Sequence, residues 1–137
     1  MNIVQQPSAN TAEIVSAVTS VLPSVQLIVL FGSIARGQAR VDSDVDIAVL
    51  SGKAIDAVTR LALIEELALK TGRSVDLVDL VTVGEPLLGN ILREGMVLLD
   101  TNHHRGNLLV RHLGNVEDFI PLQELILRTR RQAWTGQ

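Results

Sequence analysis

Apolar positions recur at helical spacing from Thr11 to Leu22, where Ile14, Val15, Val18, Val21 and Leu22 share a face and Pro23 ends the run. Val25–Phe31 is β-branched and apolar apart from Gln26 and stops at Gly32-Ser33, the pattern of a buried strand. Val45–Leu50 repeats that pattern behind a turn-like lead-in, Arg40-Val41-Asp42-Ser43. Ser51-Gly52 opens a long helix over Ala54–Thr71, and Gly72 is placed to close it as a C′ residue. Ser74–Val81 reads as a third strand, Glu85–Arg93 as a short helix stopped by Gly95, and Met96–Asp100 as a fourth, edge-like strand. The tail, Arg105–Arg131, predicts helix with interruptions near Gly114 and Pro121.

The long helix separates the second and third strands by enough chain for a right-handed crossover, so that pair should be parallel. The first and second strands are too close in sequence for a crossover and should be antiparallel. The expected fold class is therefore α/β, a small mixed sheet of about four strands flanked by helices. One domain over 1–137 is expected, with its core at about 11–100 and a helical tail over 101–137. No internal repeat or low-complexity linker divides the chain.

Composition narrows the function. With 47% apolar and 20% charged residues, disorder is excluded, and the absence of cysteine removes disulfides, thiolate metal sites and a thiol nucleophile. Phe31, Phe119 and Trp134 are the only aromatics, too few for a stacking platform on single-stranded nucleic acid. A net charge of −3 argues against a DNA-backbone binder, so no direct nucleic-acid partner is expected. No apolar run approaches a bilayer's thickness and the N-terminus has no basic n-region, which predicts a cytoplasmic protein without a membrane partner.

Three features carry chemistry. Gly32-Ser33 follows a buried strand and precedes Arg36-Gly37; a strand running through a glycine turn into a short helix presents backbone N–H groups to an anion such as a triphosphate. Arg36 lies near that turn and is a candidate contact to the phosphates, an exposed helix arginine being the alternative. Asp44 and Asp46 sit at the entry of the second strand and share one face, with Cα atoms about 6.5–7 Å apart. Two carboxylates there repel each other and call for a cation such as Mg²⁺ between them. Asp76 begins the third strand and can bring a third carboxylate to the same place, whereas Asp79, three positions on, faces the other side and should meet solvent or a helix end. Such a triad suits a two-metal transfer at phosphorus, with the ions about 3.5–4 Å apart.

The stretch Leu30-Phe31-Gly32-Ser33-Ile34-Ala35-Arg36-Gly37, then Ser43-Asp44-Val45-Asp46-Ile47-Ala48-Val49, resembles the signature of the DNA polymerase β-like nucleotidyltransferase superfamily: Gly-Ser, ten residues, then Asp-x-Asp. Ser74-Val75-Asp76-Leu77-Val78 resembles its third-carboxylate strand, and residues 85–100 look like the helix and strand that follow in the minimal members. The resemblance covers about residues 11–100, with no departure at these positions. In its small size the chain is similar to the minimal nucleotidyltransferases, MntA-type antitoxins, that pair with HEPN-domain ribonuclease toxins.

That resemblance implies transfer of AMP from ATP to a tyrosine of the toxin, which silences it. It also implies phosphate contacts at Gly32 and Ser33, Mg²⁺ at Asp44 and Asp46, and metal binding or general-base work at Asp76. The alternatives are a non-catalytic binding antitoxin and a small-molecule, aminoglycoside-type nucleotidyltransferase. His103, His104 and His112 have no ligand spacing and read as surface residues. Phe119, Ile120, Leu122, Leu125 and Ile126 form an apolar stripe that either closes the core or docks a partner.

Overall fold

The computed structural model describes residues 9–116. In chain order these form α1 (Ala9–Val21), β1 (Leu27–Phe31), α2 (Gly32–Ala35), β2 (Val45–Leu50), α3 (Ala57–Thr71), β3 (Val75–Asp79), α4 (Leu87–Glu94), β4 (Met96–Asp100) and α5 (His104–Val116). The strands make one sheet in the order β3-β2-β1-β4. β1 pairs antiparallel with β2, and β2 pairs parallel with β3, as expected from the connection lengths; β1 also pairs antiparallel with β4. β4 lies at the sheet edge, as expected.

Alternation in the central strands divides the core in two. Ile28 and Leu30 of β1, with Val45, Ile47 and Val49 of β2, pack with Ile14 and Val18 of α1 and Leu63 and Leu67 of α3. Leu27, Val29 and Ala48 face the other way and pack with Leu88, Ile91 and Leu92 of α4 and Leu108 of α5. Both faces of β1 and β2 are thus covered, which is why these strands read as nearly continuous apolar runs. Asp46 is the polar interruption, on the α4/α5 face and at the strand's start.

Helix ends follow local chemistry. α3 starts at Ala57 rather than Ala54, because Asp56 is extended (φ −77°, ψ 168°) and its side chain accepts the Thr59 N–H at 2.7 Å, an N-cap. The Ile55 N–H is taken by Asp79 Oδ2 at 2.8 Å, which keeps that residue out of the helix. Gly72 closes α3 in the left-handed region (φ 69°), its N–H bonded to Ala68 O. β3 ends at Asp79, because the Thr82 and Val83 N–H groups turn back to the Asp79 carbonyl. Gly114 does not interrupt the tail helix: α5 continues through it to Val116, a helix-interior glycine costing only about 1 kcal/mol. Pro121 and the stripe from Phe119 to Ile126 lie outside the described residues. Among the described residues no helix is long and apolar enough to cross a membrane.

Candidate active site

The register of the sheet assembles the candidate residues. Phe31 pairs with Asp46 across the β1–β2 ladder, and Asp46 pairs with Asp76 across the β2–β3 ladder. The glycine turn therefore begins one residue beyond the position opposite Asp46. Gly32 has φ +78°, and a Cβ there would fall 2.0 Å from Asp46 Oδ2. Only glycine permits both the left-handed backbone and the close approach of that backbone to the carboxylate. The Gly-Ser turn and the Asp-x-Asp strand are thus one contact surface, joined by the ten intervening residues.

Behind the turn, α2 is a single turn of helix whose N-cap, Phe31, offers no side-chain acceptor to its N–H groups. Gly32 and Ser33, both partly buried, start that turn. Arg36 follows it, half exposed, with a weak ion pair from Nη1 to Glu94 Oε1 at 3.9 Å and a long bond from Nε to Gln38 Oε1 at 3.4 Å.

Burial raises the Asp46 carboxyl above its usual range, and the negative charges of Asp76 and then Asp44 push it further. The Arg36 guanidinium opposes this without cancelling it. Asp44 is exposed and Asp76 lies at the exposed start of β3. No backbone N–H of the described residues donates to any of the three. As the side chains stand, no group of three His, Cys, Asp or Glu among the described residues encloses a metal position. The Asp46–Asp76 pair is nevertheless a hard-oxygen donor set whose like charge Arg36 only partly offsets. A divalent cation relieves that repulsion, and Asp44, two positions along the same face, is near enough to act on Asp46 electrostatically. The chemistry of this oxygen donor set fits Mg²⁺, which Asp44, Asp46 and Asp76 would hold.

The other candidates fall elsewhere. Asp79 is on the α1/α3 face and buried, with Ile55 and Val81 N–H groups on its two oxygens at 2.8 and 2.9 Å; it meets the start of α3 and not solvent. His112 is not a free surface residue: its Nδ1 lies 2.7 Å from Glu85 Oε2, and its ring occupies the space beside Gly89 of α4. His103 and His104 lie at the β4–α5 junction, away from the acids, where His104 N–H donates to Asp100 Oδ1. One residue escaped sequence reasoning altogether. Arg73 donates from Nη1 to the carbonyls of Arg40 (2.8 Å) and Ser43 (2.9 Å), on the loop leading into Asp44. An arginine just past a helix-closing glycine gives no signal of this.

A turn rich in backbone donors beside paired carboxylates at the head of a mixed sheet defines a nucleotide-handling class of site. Residues 13–104 match the family described as polymerase beta, nucleotidyltransferase, and the chain belongs to that family. It is 36% identical over 92 residues to the Protein adenylyltransferase MntA of Shewanella oneidensis, a match spanning 67% of this chain and 66%, just under two thirds, of that relative. Among solved structures, a toxin–antitoxin structure with AMP-PNP superposes with a TM-score of 0.72 at 30% identity, covering 93% of this chain and 96% of the other. A chain of the tri-AMPylated Shewanella oneidensis HEPN toxin in complex with MNT antitoxin superposes with a TM-score of 0.66 at 28% identity, covering 93% of each.

Proposed function

We propose that this chain is a Mg²⁺-dependent adenylyltransferase that moves AMP from ATP onto a tyrosine hydroxyl of a partner HEPN-type toxin and thereby neutralises it. The observation that carries this reading is the contact of Gly32 with Asp46, itself paired in register with Asp76. One spot then offers both phosphate-binding amides and crowded carboxylates. The relative named as a protein adenylyltransferase and the complex containing an AMPylated toxin supply the acceptor class.

In this reading the N–H groups of Gly32 and Ser33 donate to the outer phosphates of ATP, and Arg36 leaves its weak pairing with Glu94 to reach them. Asp44, Asp46 and Asp76 are the residues that would hold Mg²⁺, two ions in this reading, which when bound would offset the triphosphate charge and acidify the attacking hydroxyl. Asp76 orients that hydroxyl and accepts its proton. The hydroxyl oxygen forms a bond to the α-phosphorus, the bond to the β-phosphate oxygen breaks, and pyrophosphate leaves. No covalent intermediate with the protein is needed, so positioning and electrostatics carry the rate.

The test is intact-mass analysis of the protein expressed with the open reading frame beside it and supplied with ATP and Mg²⁺, Asp44→Asn/Asp46→Asn serving as control. The expected result is a gain of one or more AMP units on the partner, absent in the control. A stable complex with no mass gain would replace catalysis by simple masking. No gain and no complex would turn the search to small-molecule acceptors.

A further inference from the structure

We propose, resting on the adenylyltransferase reading, that Arg73 is a positioning residue whose guanidinium fixes the loop that presents Asp44. The loop is otherwise poorly held. Residues 36–42 are exposed, Val41 almost completely at 96%, so no apolar burial orders them. Gly37 and Gln38 N–H groups bond back to α2, at Ile34 O (3.1 Å) and Ser33 O (2.8 Å), but beyond them the loop's own bonds form one small turn: Ser43 N–H donates to Arg40 O at 3.1 Å, and Arg40 N–H donates to Ser43 Oγ at 2.7 Å.

Among the described residues, the hydrogen bonds that tie 39–44 to the rest of the chain all come from Arg73. Its Nη1 reaches Arg40 O and Ser43 O, and Val41 O at a longer 3.4 Å. The next bond along, Val45 N–H to Ser74 O at 2.8 Å, starts the β2–β3 ladder. Ser43 directly precedes Asp44, and Arg73 is three residues ahead of Asp76. The anchor thus ties the loop that carries Asp44 to the segment that leads into Asp76. A displacement of about 1 Å in such a group can lower a rate by roughly a hundredfold.

All three contacts use one nitrogen, so an ammonium with three donors can replace the guanidinium if it reaches. This separates anchoring from mere stem packing. The experiment compares wild type, Arg73→Met and Arg73→Lys in the full chain by amide hydrogen exchange and by AMP transfer to the partner toxin. In Arg73→Met, exchange within 39–44 should accelerate. kcat should fall roughly ten- to hundredfold while KM for ATP stays within about threefold. Arg73→Lys should recover most of both.

An unaltered exchange pattern over 39–44 in Arg73→Met would overturn the proposal, as would an unaltered kcat in a variant whose loop exchanges faster. A purely structural arginine would instead lower the melting temperature and loosen β2 and β3 together, with kcat per folded molecule unchanged. If the wild type itself transfers no AMP, the catalytic reading fails alone. The exchange data then decide the anchor: lost protection over 39–44 supports it and retained protection overturns it.

Discussion

Among the described residues, Asp56, Asp79 and Asp100 each accept hydrogen bonds from backbone N–H groups, whereas Asp44, Asp46 and Asp76 accept none, and the charges of Asp44 and Asp76 act on Asp46. Asp56 caps α3 through Thr59, and Asp79 holds Ile55 and Val81. Asp100 receives the N–H groups of Asn102, His104 and Arg105 at the start of α5. At Asp100 burial alone would raise the carboxyl, but these three backbone donors outweigh it and bring it below its usual value. At Asp46 burial meets no such donors and, with the like charge of Asp76 and Asp44, outweighs the opposing Arg36 guanidinium, so the carboxyl is raised. The first group stabilises the fold; in the second, the raised Asp46 carboxyl works against it at neutral pH. A carboxyl raised by burial and like charge, beside a glycine held in the left-handed region, marks this end of the sheet as the candidate site.

The contrast is broken most forcefully by removing charge from the second group. Asp44→Asn and Asp46→Asn should each lower AMP transfer by orders of magnitude without unfolding the chain, as read by steady-state transfer and circular dichroism. Full transfer by either variant would dissolve the distinction. Asp79→Ala should do the reverse. It strands two backbone donors of a buried region, costing about 3 kcal/mol in denaturant unfolding, while transfer per folded molecule is retained. Asp100→Ala should cost about 1 kcal/mol, the loss of a helix cap, again without a change in the chemistry.

The smallest effect is one of pH. Because the folded Asp46 value is raised, its favourable contribution is complete below the unfolded value and is lost as pH rises through the raised one. The advantage of Asp46→Asn over wild type, in chelator, should therefore grow from acid toward neutral pH. Asp100, being lowered, contributes above its unfolded value and loses that contribution as pH falls through the lowered one. Asp100→Ala should thus lose its disadvantage in acid.

Much of this was legible in the chain because strands alternate with a period of two. That period alone puts Asp44 and Asp46 on one face and separates Asp76 from Asp79. Connection lengths were enough to set the direction of β1, β2 and β3. What sequence could not show are contacts set by three-dimensional approach. Gly32 reads as a phosphate turn, but its abutment on Asp46 depends on the β1–β2 register. Asp56 was passed over as the cap of α3 because Ser51-Gly52 offered a breaker earlier in the chain. His112 has no periodic signal for its place between Glu85 and Gly89, and Arg73 acts on carbonyls 33 and 30 residues before it.

The most direct test is the melting temperature of wild type and Asp46→Asn, each with chelator and with excess Mg²⁺. Carboxylates whose like charge is only partly offset predict that Asp46→Asn melts higher than wild type in chelator, and that Mg²⁺ raises the wild type while moving the variant far less. An Asp46→Asn chain that melts lower than wild type, with neither protein responding to Mg²⁺, would contradict the account: Asp46 would then be one more structural aspartate, no different in kind from Asp79.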